Sequence, residues 1–219
     1  MRQETSASAY LEKNFGLHHP LLERIKSDLK QEGLDFMSVS SAEARLLQFF
    51  VKSFAVKSIV EIGSLYGYSA LAMALALPPD GRIHCFEKDE QRAEKIDAVF
   101  KEAGLSCSAQ VHAGDALSAL KDIEKEAPFD LVFIDANKSA YMDYLDWAEK
   151  NTGPGALIIG DNTFLFGAVW GDSKNAHVGQ KQIEIMTRFN HRLADQSVYD
   201  SILIPTPEGM TVGRKKERL

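Results

Sequence analysis

The chain has 219 residues and a formal net charge of −6, enough length for one well-filled core. Hydrophobic residues at 45% and charged residues at 26% exclude the disordered and fibrous classes. The acidic balance argues against a surface built to grip phosphate backbones, and the basic cluster Arg214-Lys215-Lys216 reads as a solvated tail.

Two cysteines, Cys85 and Cys107, are too few for a disulfide scaffold and lack metal-ligand spacing, so buried thiols are expected. The opening Met1-Arg2-Gln3-Glu4-Thr5 has no apolar signal core, and no stretch is long enough to span a bilayer. A cytoplasmic protein with no membrane partner is the expectation.

In chain order, Leu17, Leu21, Leu22, Ile25 and Leu29 recur at near-helical spacing, with Pro20 suited to a first turn. Ser40 or Ser41 then precedes Glu43-Ala44-Arg45-Leu46-Leu47, which predicts a capped second helix. From residue 57 short apolar runs alternate with amphipathic stretches. The runs are 58–62, 82–86, 108–112, 131–134 and 156–159, and the helical segments fall near 68–77, 89–103, 115–126, 139–150 and 178–194. Such alternation implies βαβ crossovers and a mostly parallel sheet, with the doubly apolar Leu131–Ile134 run at its centre. Two further strands, 197–204 and 210–213, flank the turn Pro205-Thr206-Pro207-Glu208-Gly209 and predict a closing antiparallel pair. The expected architecture is an α/β, doubly wound, seven-stranded sheet in a single domain over 1–219. Helices would fill 1–55 and the α/β core 56–219.

Ligands in such folds gather beyond the carboxyl ends of the strands. The first strand runs into Glu61-Ile62-Gly63-Ser64-Leu65-Tyr66-Gly67-Tyr68-Ser69, a glycine loop that lets backbone approach a ligand. The second ends in Glu87, a carboxylate able to accept both ribose hydroxyls, or alternatively a helix N-terminal acid. The third is followed by Gly114-Asp115-Ala116, where Asp115 or the backbone could meet an adenine edge and Asp115 could equally cap the next helix. The loop is neither a Gly-x-Gly-x-x-Gly dinucleotide fingerprint nor a P-loop, which disfavours a nicotinamide oxidoreductase. A cofactor with adenosine and a charged amino-acid tail fits better.

The fourth strand runs into Asp135-Ala136-Asn137-Lys138-Ser139-Ala140-Tyr141 and the fifth into Gly160-Asp161-Asn162-Thr163. Asp135, Asp161 and the Asn162 amide are three hard oxygen donors, suited to magnesium or calcium and leaving roughly three positions of an octahedral ion for substrate and water. The bland reading of each Asp-Asn pair is a turn.

The glycine loop with its preceding Glu61 resembles the class I S-adenosylmethionine-dependent methyltransferases. Asp135-Ala136-Asn137-Lys138 together with Gly160-Asp161-Asn162-Thr163 resembles the cation-dependent O-methyltransferases, the caffeoyl-CoA and catechol group, from about Met37 to Gly209-Met210-Thr211. That resemblance implies a Rossmann-like fold, S-adenosylmethionine as cofactor and a divalent cation (magnesium first, calcium or manganese otherwise). It implies a small catechol-like phenolic substrate methylated on one of two neighbouring hydroxyls, and a homodimer. It assigns the cation to Asp135, Asp161 and Asn162 and the general base to Lys138. The cofactor pocket falls to Val39, Glu61, Gly63, Ser64, Ser69, Glu87, Asp115, Ala116, Asp135 and Asn137. Asn137 departs from the aspartate common in the family. Thr163-Phe164-Leu165-Phe166-Gly167 departs from the Leu-Trp of plant relatives, which implies a reshaped substrate wall. Met37 matches a substrate-pocket position.

The expected chemistry is base removal of a hydroxyl proton by Lys138, with the cation as Lewis acid, followed by in-line methyl transfer. A tRNA hydroxyuridine O-methyltransferase of the same family is the alternative, and a non-catalytic cofactor binder is disfavoured by the joint presence of Asp135, Lys138, Asp161 and Asn162. The six histidines show no mutual metal spacing. Tyr141 is read as packing or as a ligand contact, and Trp147 as packing. Trp170 is a candidate for a loop over the substrate, with Asp172-Ser173-Lys174-Asn175 an exposed turn.

Overall fold

The computed structural model describes residues 6–172 and 178–217. The expected segments Met1–Thr5 and Ser173–Asn175, and His177, lie outside the described residues. Seven strands hydrogen-bond in the order β3-β2-β1-β4-β5-β7-β6. They are β1 (Ser58–Ile62), β2 (Arg82–Glu87), β3 (Ser108–Ala113), β4 (Phe129–Ile134), β5 (Thr152–Asp161), β6 (Tyr199–Ile204) and β7 (Met210–Lys215). The pairs β1/β4, β2/β3 and β4/β5 are parallel, whereas β5/β7 and β6/β7 are antiparallel. This is the doubly wound sheet with an antiparallel closing pair that the sequence predicts.

The chain divides into two compact units. The first comprises residues 1–58 and 64–116 and holds α1 (Ser6–Phe15), α2 (Pro20–Gln31), α3 (Ser41–Ser53), α4 (Tyr68–Ala74) and α5 (Glu90–Ala103) with β2 and β3. Pro20 opens α2, whose Leu22, Ile25 and Leu29 are buried. Ser40 caps α3 through a complete capping box: its hydroxyl accepts from Glu43 N at 3.2 Å, and the Glu43 carboxylate accepts from Ser40 N at 2.7 Å. The Gln48 side chain ties α3 to α4 by donating to Ala72 O at 2.7 Å. Helix α1 falls inside the 1–55 stretch expected to be helical, but no signal in the sequence marks its bounds. It carries exposed Tyr10, Leu11 and Phe15, so no apolar stripe facing a core announces it.

The second unit, residues 59–63 and 117–219, holds β1, β4, β5, β6 and β7 with α7 (Tyr141–Asn151) and α8 (Gln180–Leu193). Leu131–Ile134 is fully buried, as a strand covered on both faces requires. Trp147 packs on Phe129, with ring centroids 5.8 Å apart. The helix expected over 115–126 is instead a four-residue α6 (Ala116–Ala119), which begins at the edge of the first unit, followed by a 3-10 stretch over Leu120–Glu126. Strand β5 begins four residues before the expected apolar run. Pairing of Thr152 with Phe129 carries Gly153-Pro154-Gly155 into the strand despite their poor intrinsic preference.

Candidate active site

The second unit brings the acidic strand ends together. Asp135 follows β4 directly, and its N–H donates to Ile62 O at 2.9 Å, continuing the β1/β4 pairing by one residue. Asp161 ends β5 and is fully buried. Asn162 follows it at φ 55°, a left-handed conformation that asparagine tolerates better than most residues. Its amide nitrogen donates to Asp161 Oδ2 at 3.3 Å, which leaves the Asn162 carbonyl oxygen as the donor atom it could offer a cation.

Lys138 sits in a 3-10 turn (Lys138–Ala140) that Asn137 caps by accepting from Ser139 N at 3.1 Å. With its oxygen so used, Asn137 keeps its NH2 group as a cofactor-facing donor candidate. The Lys138 amine meets three acceptors: Tyr141 Oη at 2.5 Å, Asp161 O at 3.1 Å and Asp135 Oδ1 at 3.5 Å. Burial lowers the Lys138 pKa from the ordinary lysine value, against the opposing charges of Asp135, Asp161 and Glu208. Tyr141, fully buried, places its hydroxyl 2.9 Å from Ile134 O and 2.8 Å from Asp161 O. Burial, reinforced by Asp135 and Asp161, pushes its pKa well above the usual phenol range, so the hydroxyl stays protonated.

The two carboxylates and the amide oxygen would together supply an all-oxygen donor set, the kind that suits a hard divalent cation. No group of three or more His, Cys, Asp or Glu able to hold a metal occurs among the described residues. The third donor here is the amide of Asn162.

The expected cofactor residues fall in both units. In the second, Glu61 is fully buried on β1, and Gly63 (φ 94°) lies so close to the 135 backbone that a Cβ would stand 2.2 Å from Asp135 O. In the first, Glu87 ends β2, and its two oxygens accept from Leu65 N at 2.8 Å and Asp89 N at 3.0 Å. Ser64 N donates to Phe86 O at 3.1 Å, and Gly114 N to Glu87 O at 2.9 Å, which ties the glycine loop and the end of β3 to β2. Val39, Ser64 and Ser69 are buried, Ala116 is half-buried and Asp115 is exposed directly before α6. In the second unit, buried Glu61 beside the closely approaching backbone at Gly63 suits a cationic group; in the first, the Glu87 carboxylate suits ribose hydroxyls.

Beyond Asn162 the chain enters a tight loop in which Leu165 and Phe166 both have positive φ. Phe164 packs edge-on against Trp170 at 4.9 Å, and Trp170 is 57% exposed. Met37 is also exposed. Glu208, which no sequence signal singled out, reaches the Lys138 neighbourhood through the β6–β7 turn. Glu208 O accepts from Phe164 N at 2.8 Å, and Gly209 O from Thr163 N at 3.0 Å.

Residues 5–216 match the family described as O-methyltransferase. A catechol O-methyltransferase from Niastella koreensis is 31% identical, covering 91% of this chain and 89% of that protein. A caffeoyl-CoA O-methyltransferase from Stellaria longipes is 27% identical, covering 89% and 83%. The crystal structure of the O-methyltransferase TomG from Streptomyces achromogenes, in complex with SAM, superposes with a TM-score of 0.85 at 30% identity, covering 97% of both chains. The chain belongs to the O-methyltransferase family, and with its catechol and caffeoyl-CoA relatives it is a class I methyltransferase.

Proposed function

We propose that the protein methylates one of two neighbouring hydroxyls on a small catechol-like phenol, using S-adenosylmethionine and a divalent cation, magnesium before calcium or manganese. The observation that carries this reading is the Lys138 amine held between the Asp135 and Asp161 strand ends. The catechol O-methyltransferase and caffeoyl-CoA O-methyltransferase relatives support the substrate class, and the SAM complex of a structural neighbour supports the cofactor.

When bound, S-adenosylmethionine supplies the electrophilic methyl and the cation supplies Lewis-acid polarisation of the hydroxyl. Asp135, Asp161 and Asn162 hold the cation. Lys138 Nζ accepts the hydroxyl proton, a task eased by the burial that disfavours its charged form. Glu87 accepts ribose hydroxyls on oxygen lone pairs that its backbone contacts leave over, and Glu61 faces the cationic tail. Val39, Gly63, Ser64, Ser69, Asp115, Ala116, Asp135 and Asn137 are the remaining cofactor residues of the proposal. The whole chain, 1–219, is taken in this proposal as a single methyltransferase domain.

No described helix is long and apolar enough to cross a membrane, and a cytoplasmic homodimer is part of the proposal. Exposed Tyr10, Leu11 and Phe15 of α1 with Phe49 and Phe54 at α3 supply apolar area for the contact.

The test is incubation with methyl-labelled S-adenosylmethionine and a catechol library, with magnesium and after exhaustive chelation. Cation-dependent methylation of vicinal diols is expected. Methylation unaffected by chelation removes the cation from the reading, and labelling of undermodified tRNA in place of the catechols replaces the small-molecule acceptor.

A further inference from the structure

We infer that Tyr141 is a positioning residue whose single hydroxyl holds the Lys138 amine away from Asp135, between the two strand ends that carry the candidate cation ligands. The inference rests on the base and cation roles proposed above and adds a residue that acts through both.

Packing alone does not account for this tyrosine. Its ring meets Phe189 edge-on at 5.1 Å and is fully enclosed, a contact that phenylalanine would make equally well. A hydroxyl brought into such an interior costs free energy unless its hydrogen-bonding capacity is used. Here it is used completely. The proton is shared between Ile134 O at 2.9 Å and Asp161 O at 2.8 Å, and the oxygen accepts from Lys138 at 2.5 Å. Ile134 immediately precedes Asp135, so one atom touches the main chain at both acidic strand ends and the amine between them.

The order of the three Lys138 distances carries the rest. The amine is closest to the neutral phenol oxygen, next to a neutral carbonyl at 3.1 Å, and furthest from the Asp135 carboxylate at 3.5 Å. Coulomb attraction at low dielectric favours the opposite order. The two neutral acceptors therefore hold the ammonium short of a tight ion pair. Remove the phenol oxygen, and the amine loses its nearest acceptor and moves onto Asp135. That carboxylate is then occupied by an internal cation, and the amine is turned from the place where a substrate hydroxyl would lie.

The test is Tyr141→Phe, which retains the ring and its contact with Phe189, examined alone and combined with Lys138→Met. Circular dichroism and a thermal melt establish that each variant is folded. In the cofactor-free protein, Mn2+ affinity measured by calorimetry is expected to fall about fivefold or more in Tyr141→Phe, because the group that keeps the amine off a ligand carboxylate is gone. In the Lys138→Met background the same change should alter Mn2+ affinity less than about twofold, because no amine remains to occupy Asp135. In turnover, Tyr141→Phe should lower kcat about tenfold or more while the KM for S-adenosylmethionine stays within about twofold. Equal loss of Mn2+ affinity in both backgrounds makes Tyr141 a fold residue only and overturns the inference, as do Mn2+ affinity and kcat unchanged in the single variant. Full activity of Lys138→Met sinks the base role instead. Should Tyr141→Phe prove unfolded, Tyr141→Leu, which fits within the enclosed volume and offers no acceptor, replaces it in the same cycle with the same expected outcomes.

Discussion

Gly63 and Asp135 are packed backbone against backbone: a methyl group at position 63 would stand 2.2 Å from the Asp135 carbonyl oxygen and 2.8 Å from its carbonyl carbon. The glycine loop and the first candidate cation ligand therefore share one tolerance. Gly63→Ala has to shift the loop or the Asp135 backbone, and it also places alanine at φ 94°. The expected destabilisation is about 3 kcal/mol, from overpacking plus backbone strain. Gly114→Ala is the control, since φ there is 105° but nothing lies within 4 Å of the added methyl. It should cost only about 1–2 kcal/mol, the backbone strain alone. Denaturant melts of the two variants measure the difference, and equal losses would mean the close approach at Gly63 is unimportant.

Lys138→Ala should lower kcat about 10²–10⁴-fold, the range that a general base contributes. Lys138→Arg keeps a long cation but not one that gives up its proton, so its kcat should fall into the same range. Calorimetric binding of S-adenosylmethionine should stay within a few-fold of wild type in both. An arginine variant with near-normal turnover would show that the position supplies positive charge and not basicity.

The contribution of the sequence to these expectations follows the range of each interaction. Ser40 or Ser41 ahead of Glu43 announces a capped helix, and the structure resolves the cap as a Ser40–Glu43 capping box, whose partners lie within one turn. Likewise the spacing from Asp135 to Lys138 keeps amine and carboxylate together across a short 3-10 turn. Glu208 gives no such signal. It comes near Lys138 only because the β6–β7 turn hydrogen-bonds to Thr163 and Phe164, more than forty residues earlier. The start of β5 was hidden for a related reason, since Gly153-Pro154-Gly155 reads as a turn until Phe129 pairs with Thr152. Tyr141 was visible as a residue near Lys138 but not as the meeting point of two strand ends. That role depends on carbonyl oxygens, which side-chain identity does not reveal.

Asn162 tests the cation site through two separable properties, its amide oxygen and its left-handed backbone at φ 55°. Asn162→Gly removes the oxygen but accepts the backbone conformation without strain. Asn162→Ala removes the oxygen and adds roughly 1–2 kcal/mol of strain. Both should raise the half-saturating magnesium concentration about tenfold or more, and only the alanine variant should also melt earlier. Asn162→Asp restores an oxygen donor and should recover much of the magnesium response. If the glycine variant shows the wild-type magnesium response, the amide is not a ligand.

Glu87 has two tasks that substitution can separate. In the ligand-free protein its oxygens already accept from Leu65 N and Asp89 N, which fixes the carboxylate at the mouth of the glycine loop. Each oxygen has a further lone pair with which to accept a ribose hydroxyl. Glu87→Gln keeps one acceptor oxygen but turns an NH2 group toward one of the two backbone N–H donors. That donor loses its partner, so the variant should lose about 1–3 kcal/mol of stability and bind S-adenosylmethionine about tenfold more weakly. Glu87→Ala leaves both backbone donors without the carboxylate and removes the ribose contact entirely, so affinity should fall about a hundredfold. Calorimetry with S-adenosylmethionine and with a 2′-deoxyribose analogue divides the two effects. The wild type should discriminate against the analogue, and the alanine variant should bind both alike. Discrimination that survives in Glu87→Ala would assign the ribose to another residue and leave Glu87 as a brace for the loop.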